Sequence, residues 1–251
     1  MSAPTYVLAV LAALVCPLSL ACEIKHVYED WPPYLYRDKS NALTGLDLKL
    51  VTAIARQARC KLTTLPHVPS LRRDLLFQQG TVNLILAASD IQERHAYARF
   101  SLAYRNETVR LFTSPAKFVS HRALTGFDTI VRDRMSLLAP TTGWYGPNYA
   151  HVVDTLKDTR QLRTFGTLEQ GVRMFGAGRA DFIMGDGAGI AYLAEHAGVK
   201  LQPLPYVVHS APVHLMLSMA STTEDDLRRI NEAILTLEKR GTLGAIRTAY
   251  E

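Results

Sequence analysis

The chain has 251 residues, of which 48% are apolar and 20% are charged. This composition is typical of a folded protein that is long enough for two modest lobes, and it argues against disorder. The net charge is +5, but residues of both signs are scattered without a Lys/Arg block, which gives no support to nucleic-acid binding or to polybasic membrane binding.

The first 21 residues have the character of a cleaved export signal. They contain no charged side chain and end in the small-residue pattern Ser19-Leu20-Ala21. An uncleaved membrane anchor remains the alternative, because the segment lacks the Lys or Arg usual at the start of a signal and approaches the length of a membrane span. We expect cleavage after Ala21 and a periplasmic protein.

Of the three cysteines, Cys16 lies within this signal, so export would leave Cys22 and Cys60. Two cysteines in an oxidising compartment favour one disulfide. Cys22 opens the first predicted strand and Cys60 precedes the second, so neighbouring parallel strands would bring them together. A lipid on Cys22 is the alternative, but Ser19 stands where a lipidation motif normally has Leu.

Strands and helices alternate through the first half of the chain. Apolar spacing and turn residues predict strands over residues 23–28, 61–65 and 82–88, with helices over 46–59 and 70–79 between them. The turn-forming W-P-P-Y at 31–34 follows the first strand. This alternation predicts an α/β protein with a mainly parallel sheet.

The same order repeats in a second unit. Strands are predicted over residues 135–139, 161–164 and 182–184, and helices over 148–157, 167–175 and 190–196. The end of the chain returns to a strand over 213–219, a helix that begins in S-T-T-E-D-D at 221–226, and a last helix over 243–250. Ligands of such folds bind beyond the carboxyl ends of the strands.

The segment I-L-A-A-S-D-I-Q-E-R at 85–94 is a candidate anion site. An apolar strand ends at Ser89, a helix start follows at Asp90, and Arg94 stands in the first turn. A guanidinium group can bind a carboxylate through two hydrogen bonds, and N–H groups at a helix start add further donors. Ser89 has two interpretations, as a hydroxyl donor to a ligand or as the cap of this helix.

The chain resembles the periplasmic solute-binding proteins of ABC uptake systems, specifically family 3, which binds polar amino acids. The resemblance covers nearly all of the chain after the signal. It rests on W-P-P-Y at 31–34, L-T-G-L-D-L-K-L-V at 43–51, A-S-D-I-Q-E-R at 88–94, F-S-L-A-Y at 100–104, G-A-G-R-A-D at 176–181 and L-E-K-R-G-T at 237–242.

The resemblance implies the two-lobed type II periplasmic-binding-protein fold, with a mainly parallel sheet flanked by helices in each lobe. Lobe 1 would comprise residues 22–107 and 210–251, and lobe 2 residues 108–209. Two hinge segments near 105–107 and 208–211 would join them.

The resemblance also assigns ligand-binding roles. Arg94 would bind the ligand carboxylate and Asp186 its ammonium group, because a buried zwitterion needs an opposite charge at each end. Trp31 and Tyr34 would form an aromatic wall. The loop of lobe 2 that would contact the ligand carries Thr141, Thr142, Trp144 and Tyr145.

One feature distinguishes this chain from many amino-acid binders of the family. Ala87 and Ala88 stand where those proteins carry hydroxyls, so the ligand is expected to differ from a standard amino acid.

The sequence contains no motif for a metal or a cofactor. The histidines and cysteines show no metal-ligand spacing, and no phosphate loop is present, so neither a metal nor a cofactor is expected.

Three functions follow from these observations. The first is a monomeric transport receptor that delivers a small carboxylate-bearing solute to an ABC permease in the inner membrane. The second is a sensor that reports ligand to a signalling receptor. The third, least favoured, is a dehydratase-type enzyme, for which Asp186 or Glu29 would be the general acid.

Overall fold

The computed structural model describes residues 22–250, so the predicted export signal at 1–21 lies outside the described residues. The strands within this range are β1 (Glu23–Val27), β2 (Tyr36–Arg37), β3 (Leu43–Thr44), β4 (Lys61–Leu65), β5 (Leu84–Ala88), β6 (Ala98–Thr113), β7 (Leu137–Pro140), β8 (Leu162–Phe165), β9 (Phe182–Asp186) and β10 (Gln202–Ser218).

Helices lie between most of the strands, and two helices follow the last strand. They are α1 (Leu46–Ala58), α2 (Ser70–Gln78), α3 (Pro115–His121), α4 (Phe127–Arg132), α5 (Pro147–Asp158), α6 (Leu168–Gly176), α7 (Gly187–His196), α8 (Glu224–Lys239) and α9 (Thr242–Thr248), with a 3-10 helix over Gln92–Ala96. The predicted α/β class with helices flanking the sheets is confirmed.

The pair β1 and β4 is parallel, with Glu23 opposite Lys61. The residues just before these two positions are Cys22 and Cys60, whose Cα atoms lie 4.6 Å apart and whose sulfurs are bonded at 2.01 Å. The predicted disulfide is therefore confirmed. It joins the start of the described chain to the second strand of this pair.

A six-stranded sheet with the order β5-β10-β6-β9-β7-β8 runs through the rest of the structure. The pairs β7/β8 and β7/β9 are parallel, whereas β5/β10, β10/β6 and β6/β9 are antiparallel. The three antiparallel pairs of this sheet each involve a long strand, β6 with 16 residues or β10 with 17 residues, and β2 pairs with β3 in a separate antiparallel ribbon. These strands are longer than the sequence pattern predicts.

The buried side chains of residues 22–250 form four apolar clusters, and the two largest are the main groups of apolar packing. One group surrounds β1 and α1 and includes Ile24, Leu50 and Ile230. The other surrounds β7 and β9 and includes Leu137 and Phe182. The strands β6 and β10 contribute to both groups, so they are the two segments of the described chain that pass between them.

The predicted hinge segments lie side by side within these strands, where Glu107 pairs with Ala211 and Asn106 with Pro212. The hydrogen-bonded ladder is interrupted by register shifts on both sides of this stretch. A hinge at this place, and the lobe boundaries at 107 and 209, remain predictions.

Candidate functional site

The W-P-P-Y segment forms a compact loop that is held by the start of α1. Gly45 has φ 125°, and a Cβ there would lie 2.2 Å from the Tyr34 carbonyl oxygen, so only glycine fits. The N–H groups of Leu46 and Asp47 donate to the carbonyls of Pro33 and Tyr34. The L-T-G-L-D motif therefore positions the rings of Trp31 and Tyr34, whose centroids are 4.6 Å apart.

A buried ion pair lies behind these rings. Arg105 donates from Nε to Asp47 Oδ1 at 2.6 Å and from Nη2 to Oδ2 at 2.9 Å. The two side chains are 2% and 0% exposed. The guanidinium carbon of Arg105 is 4.2 Å from the Tyr34 ring centroid and 5.5 Å from that of Trp31, so the pair also supports the aromatic wall.

Arg94 lies in the 3-10 helix rather than in an α-helix, because Ala98 already begins β6 and leaves only five residues for the turn. Its Nη1 donates to the Ser89 carbonyl at 3.0 Å. It makes no ion pair with any carboxylate of residues 22–250. Ile91, not Ser89, precedes the first helical residue and no side chain caps this turn, so the capping interpretation of Ser89 is wrong.

Asp186 ends β9 and caps α7. Its Oδ1 accepts from the Gly189 N–H at 2.7 Å, and its Oδ2 accepts from the Tyr34 hydroxyl at 3.0 Å. Burial raises the pKa of Asp186, and the hydrogen bond from Gly189, the charge of Arg105 and the Tyr34 hydroxyl oppose that shift. The strand extends to Asp186 and the helix begins at Gly187, so both elements reach into the interval that the prediction leaves between residues 184 and 190.

The T-T-G-W-Y-G loop connects β7 to α5. Gly143 has φ 115° and passes close to the Tyr145 ring, which allows the Tyr145 hydroxyl to donate to the Thr142 carbonyl at 2.8 Å. Trp144 packs edge-to-face on His209 of β10 with centroids 4.8 Å apart. These contacts hold the loop against the long strand.

A cleft of about 500 Å³ lies between the two groups of apolar packing, a volume suitable for a small ligand. Most of the predicted site residues line it, namely Trp31, Ser89, Arg94, Thr141, Thr142, Trp144, Tyr145 and Asp186. Tyr34 instead lines a second cavity of about 370 Å³, which it shares with Asp186. Tyr34 is thus placed to orient Asp186.

The cleft also contains charged residues that the sequence analysis did not assign to the ligand site. Arg73 of α2 forms ion pairs with Glu29 and with Asp74, the latter at 2.8 Å. This engages Glu29, which was one of the two candidate general acids. The available signal was helical spacing. Arg73 and Asp74 lie four and three residues before Phe77, the buried residue of α2, and therefore on the same side of the helix.

Glu107 of β6 is the other missed residue. Burial raises its pKa to about 8, and the negative charge of Asp186 contributes to the shift. The available signal was a carboxylate in the segment 105–107, which the resemblance predicts as a hinge.

Residues 22–250 contain neither a metal-binding cluster nor a membrane-spanning helix. No group of three or more His, Cys, Asp or Glu side chains between residues 22 and 250 is arranged to hold a metal ion. Within the same range, no helix has the length and apolar character required to cross a membrane.

Comparison with known proteins gives one family match. The sequence profile of the bacterial extracellular solute-binding proteins, family 3, matches residues 25–250. A search of curated protein sequences finds no significant match.

Several solved structures share the fold. A histidine kinase sensor domain with similarity to periplasmic binding proteins has a TM-score of 0.76 at 16% identity, covering 92% of this chain and 96% of that one. An ancestral arginine-binding protein bound to arginine has a TM-score of 0.75 at 18% identity, with 91% and 97% covered.

An ancestral amino-acid-binding protein, a precursor of cyclohexadienyl dehydratase, has a TM-score of 0.72 at 17% identity, with 91% of this chain and 94% of that chain covered. At these identities the likeness establishes the fold alone.

Proposed function

This chain belongs to the bacterial extracellular solute-binding proteins, family 3, and from that premise we propose that it captures a small carboxylate-bearing solute, an amino acid or a related compound, and delivers it to an ABC permease. The observation that carries the proposal is the position of Arg94. It lines the cleft without a carboxylate partner in residues 22–250, while Asp186 lines the same cleft with the opposite charge. One bound zwitterion would satisfy both.

Other features of the cleft support this role. Trp31 and Trp144 offer apolar ring surface, and Ser89, Thr141 and Thr142 offer hydroxyl groups beside it. A cleft with a few polar groups on apolar walls is the usual form of a small-molecule site. The amino-acid binding of solved relatives agrees with a ligand of this chemistry.

The direct test is thermal unfolding with a panel of amino acids, diamines and dicarboxylates. A ligand at a hundred times its dissociation constant stabilises by about 2.7 kcal/mol. For a chain of this length, that corresponds to an upward shift of the midpoint by roughly 5–10 °C. We expect such shifts for carboxylate-bearing ligands with the wild type and a much smaller shift with Arg94→Ala.

A matched control is Arg72→Ala, which removes the same charge from an exposed position of α2 that does not line the cleft. Its ligand shifts should equal those of the wild type. If Arg94→Ala responds to carboxylates as fully as Arg72→Ala does, the role of Arg94 is wrong.

A sensory role is the second candidate, and the likeness to a histidine kinase sensor domain favours it. Deletion of the gene separates the two. Loss of cellular uptake of the ligand supports transport, whereas unchanged uptake together with loss of a ligand-dependent transcriptional response supports sensing.

We further propose that the protein does not act as an enzyme. Glu29 is held by Arg73, and Asp186 caps α7 and accepts from Tyr34. Incubation of the purified protein with each ligand found in the panel should return that ligand unchanged by mass spectrometry. Conversion of a ligand by the wild type would support the dehydratase alternative.

We also propose export to the periplasm by a cleaved signal, a monomeric state, and closure of lobes 22–107 with 210–251 and 108–209 about the paired segments near Glu107 and Ala211. The pairing of these segments and the extracellular location of the family support this arrangement. Intact mass and light scattering of the exported protein test it. A lipid on Cys22 or a stable dimer would contradict it.

A further inference from the structure

Glu107 and Asp186 lie on one face of the sheet at neighbouring positions. Val109 of β6 pairs with Asp186 of β9, and residues two apart on a strand point to the same face. Glu107 therefore stands diagonally adjacent to Asp186, and both line the main cleft. The alternate residues Asn106 and Thr108 line the second cavity instead.

The two carboxyl groups differ in how far the protein satisfies them. Asp186 accepts one hydrogen bond on each oxygen, from Gly189 and Tyr34. The Glu107 carboxyl group has no hydrogen bond and no ion pair with any residue of 22–250. Its half-buried carboxyl group faces the cleft without a partner.

The charged groups around Glu107 do not neutralise it. Arg105, two residues away, directs Nε and Nη2 to Asp47 and Nη1 to the Asn106 carbonyl. Arg73, across the cleft, is held by Glu29 and Asp74. The remaining titratable groups near this position are Asp186, Arg94, Tyr145 and His209.

A count of charges then defines what the cleft can hold. Arg94 offers one positive charge, while Glu107 and Asp186 offer two negative charges when both are ionised. A neutral zwitterion brings one carboxylate and one ammonium group, so it would leave one carboxyl of the pair without a counter-charge. Two like charges in a partly buried site repel unless one carboxyl keeps its proton or a further cation enters.

We propose that Glu107 is a specificity-determining residue, which together with Asp186 binds two cationic groups of one ligand and makes the cleft selective for carboxylate-bearing ligands of net positive charge. This inference rests on the proposed solute-binding function. Burial raises the pKa of Glu107 to about 8 and the negative charge of Asp186 adds to the shift, so a cation beside the pair would oppose it.

The test is isothermal titration with two probes of nearly equal shape. L-Lysine and L-norleucine share the α-carboxylate, the α-ammonium group and the linear side chain, but only lysine carries a second cation. We expect the wild type to bind lysine at least ten-fold more tightly. We expect Glu107→Gln to lose on the order of 10- to 100-fold in lysine affinity while norleucine affinity changes less than three-fold.

A control variant is Glu195→Gln, which removes the same charge from an exposed position of α7 outside the cleft and should leave both affinities unchanged. Equal loss of lysine and norleucine binding in Glu107→Gln, or no loss, overturns the role of Glu107. Where Glu107→Gln does not fold, the wild type alone decides, because norleucine binding as tightly as lysine overturns the selectivity.

The outcomes also separate this inference from the proposed function. Binding of neutral amino acids with no preference for lysine leaves the solute-binding function in place and overturns only the role of Glu107. Absence of binding to every carboxylate-bearing probe of the panel overturns the proposed function and this inference with it.

Discussion

The buried ion pair between Asp47 and Arg105 gives a sharp prediction for stability. Replacement of Asp47 by Leu leaves the Arg105 guanidinium without its counter-charge at a site where the two side chains are 0% and 2% exposed. Loss of one partner of such a pair costs about 3–5 kcal/mol. Asp47 also lies in the first turn of α1, where a negative charge adds up to about 1 kcal/mol.

We therefore expect Asp47→Leu to lower the free energy of unfolding by about 4 kcal/mol, within the 3–5 kcal/mol range for such pairs. In a chain of this length the loss corresponds to a fall of roughly 8–16 °C in the thermal midpoint. Urea unfolding with the disulfide intact is the assay. The exposed pair of Arg132 and Asp133 provides a control, since Asp133→Asn should leave the urea midpoint nearly unchanged.

A double-mutant cycle tests the reason for the loss. The variant Asp47→Leu with Arg105→Met contains no uncompensated buried charge, so it should recover much of the stability lost in either single variant. The reasoning is refuted if Asp47→Leu costs no more than Asp133→Asn, or if the double variant loses as much as the two single variants combined.

Three further predictions concern the site and its supports. Tyr34→Phe removes the buried hydroxyl that donates to Asp186 and should cost about 1–3 kcal/mol in urea unfolding; an unchanged midpoint would show that this bond contributes nothing. Replacing Cys22 and Cys60 together by Ser opens a link across 38 residues and should cost about 4 kcal/mol, whereas equal midpoints with and without reductant in the wild type would contradict it. The pKa of Glu107 rises from 4.5 to about 8 in the folded chain. Between about pH 5 and pH 8 the folded chain therefore retains a proton that the unfolded chain releases. The contribution of Glu107 to the free energy of unfolding is consequently lost as the pH rises through 8. Urea midpoints at pH 5.5, 7 and 8.5 should therefore fall in the wild type relative to Glu107→Gln, in which the histidine titrations are the same; parallel curves would be evidence against the shift.

Elements with a single buried face were predictable from the sequence. The helix α1 was predictable because Leu50, Val51 and Ile54 recur at helical spacing and are all fully buried. It begins at Leu46 as expected and ends at Ala58, one residue before the predicted end. The strand β4 has the expected bounds. In such elements the local pattern and the tertiary environment demand the same structure.

The long strands were not predictable in the same way. β6 passes from one apolar group to the other and carries the buried Arg105 and the half-buried Arg99 and Glu107, so no single alternation of apolar and polar residues describes it. Its hydrogen-bonding partner β10 lies about a hundred residues later in the chain. Pairing over that separation leaves little local signal.

The sequence predicted those residues of the cleft that belong to motifs, but not those that the overall fold brings to it. Arg94 lies in a short 3-10 turn, Trp144 in a loop and Asp186 at the end of a strand, where motif order places them, and all three line the cleft. Glu107 and Arg73 lie within regular elements and face the cleft only because of strand register and helix packing. Those features are fixed by the fold as a whole.

The alternation along β6 has a consequence for the tolerance of this protein to length changes. Deletion of one residue between Arg105 and Val109 would exchange the two faces of the strand on one side of the missing residue. According to which side shifts, Asn106 or Thr108 would replace Glu107 in the cleft, or the Arg105 guanidinium would move away from Asp47. A substitution in this stretch changes one contact, whereas an insertion or deletion turns every side chain of the shifted part to the opposite face.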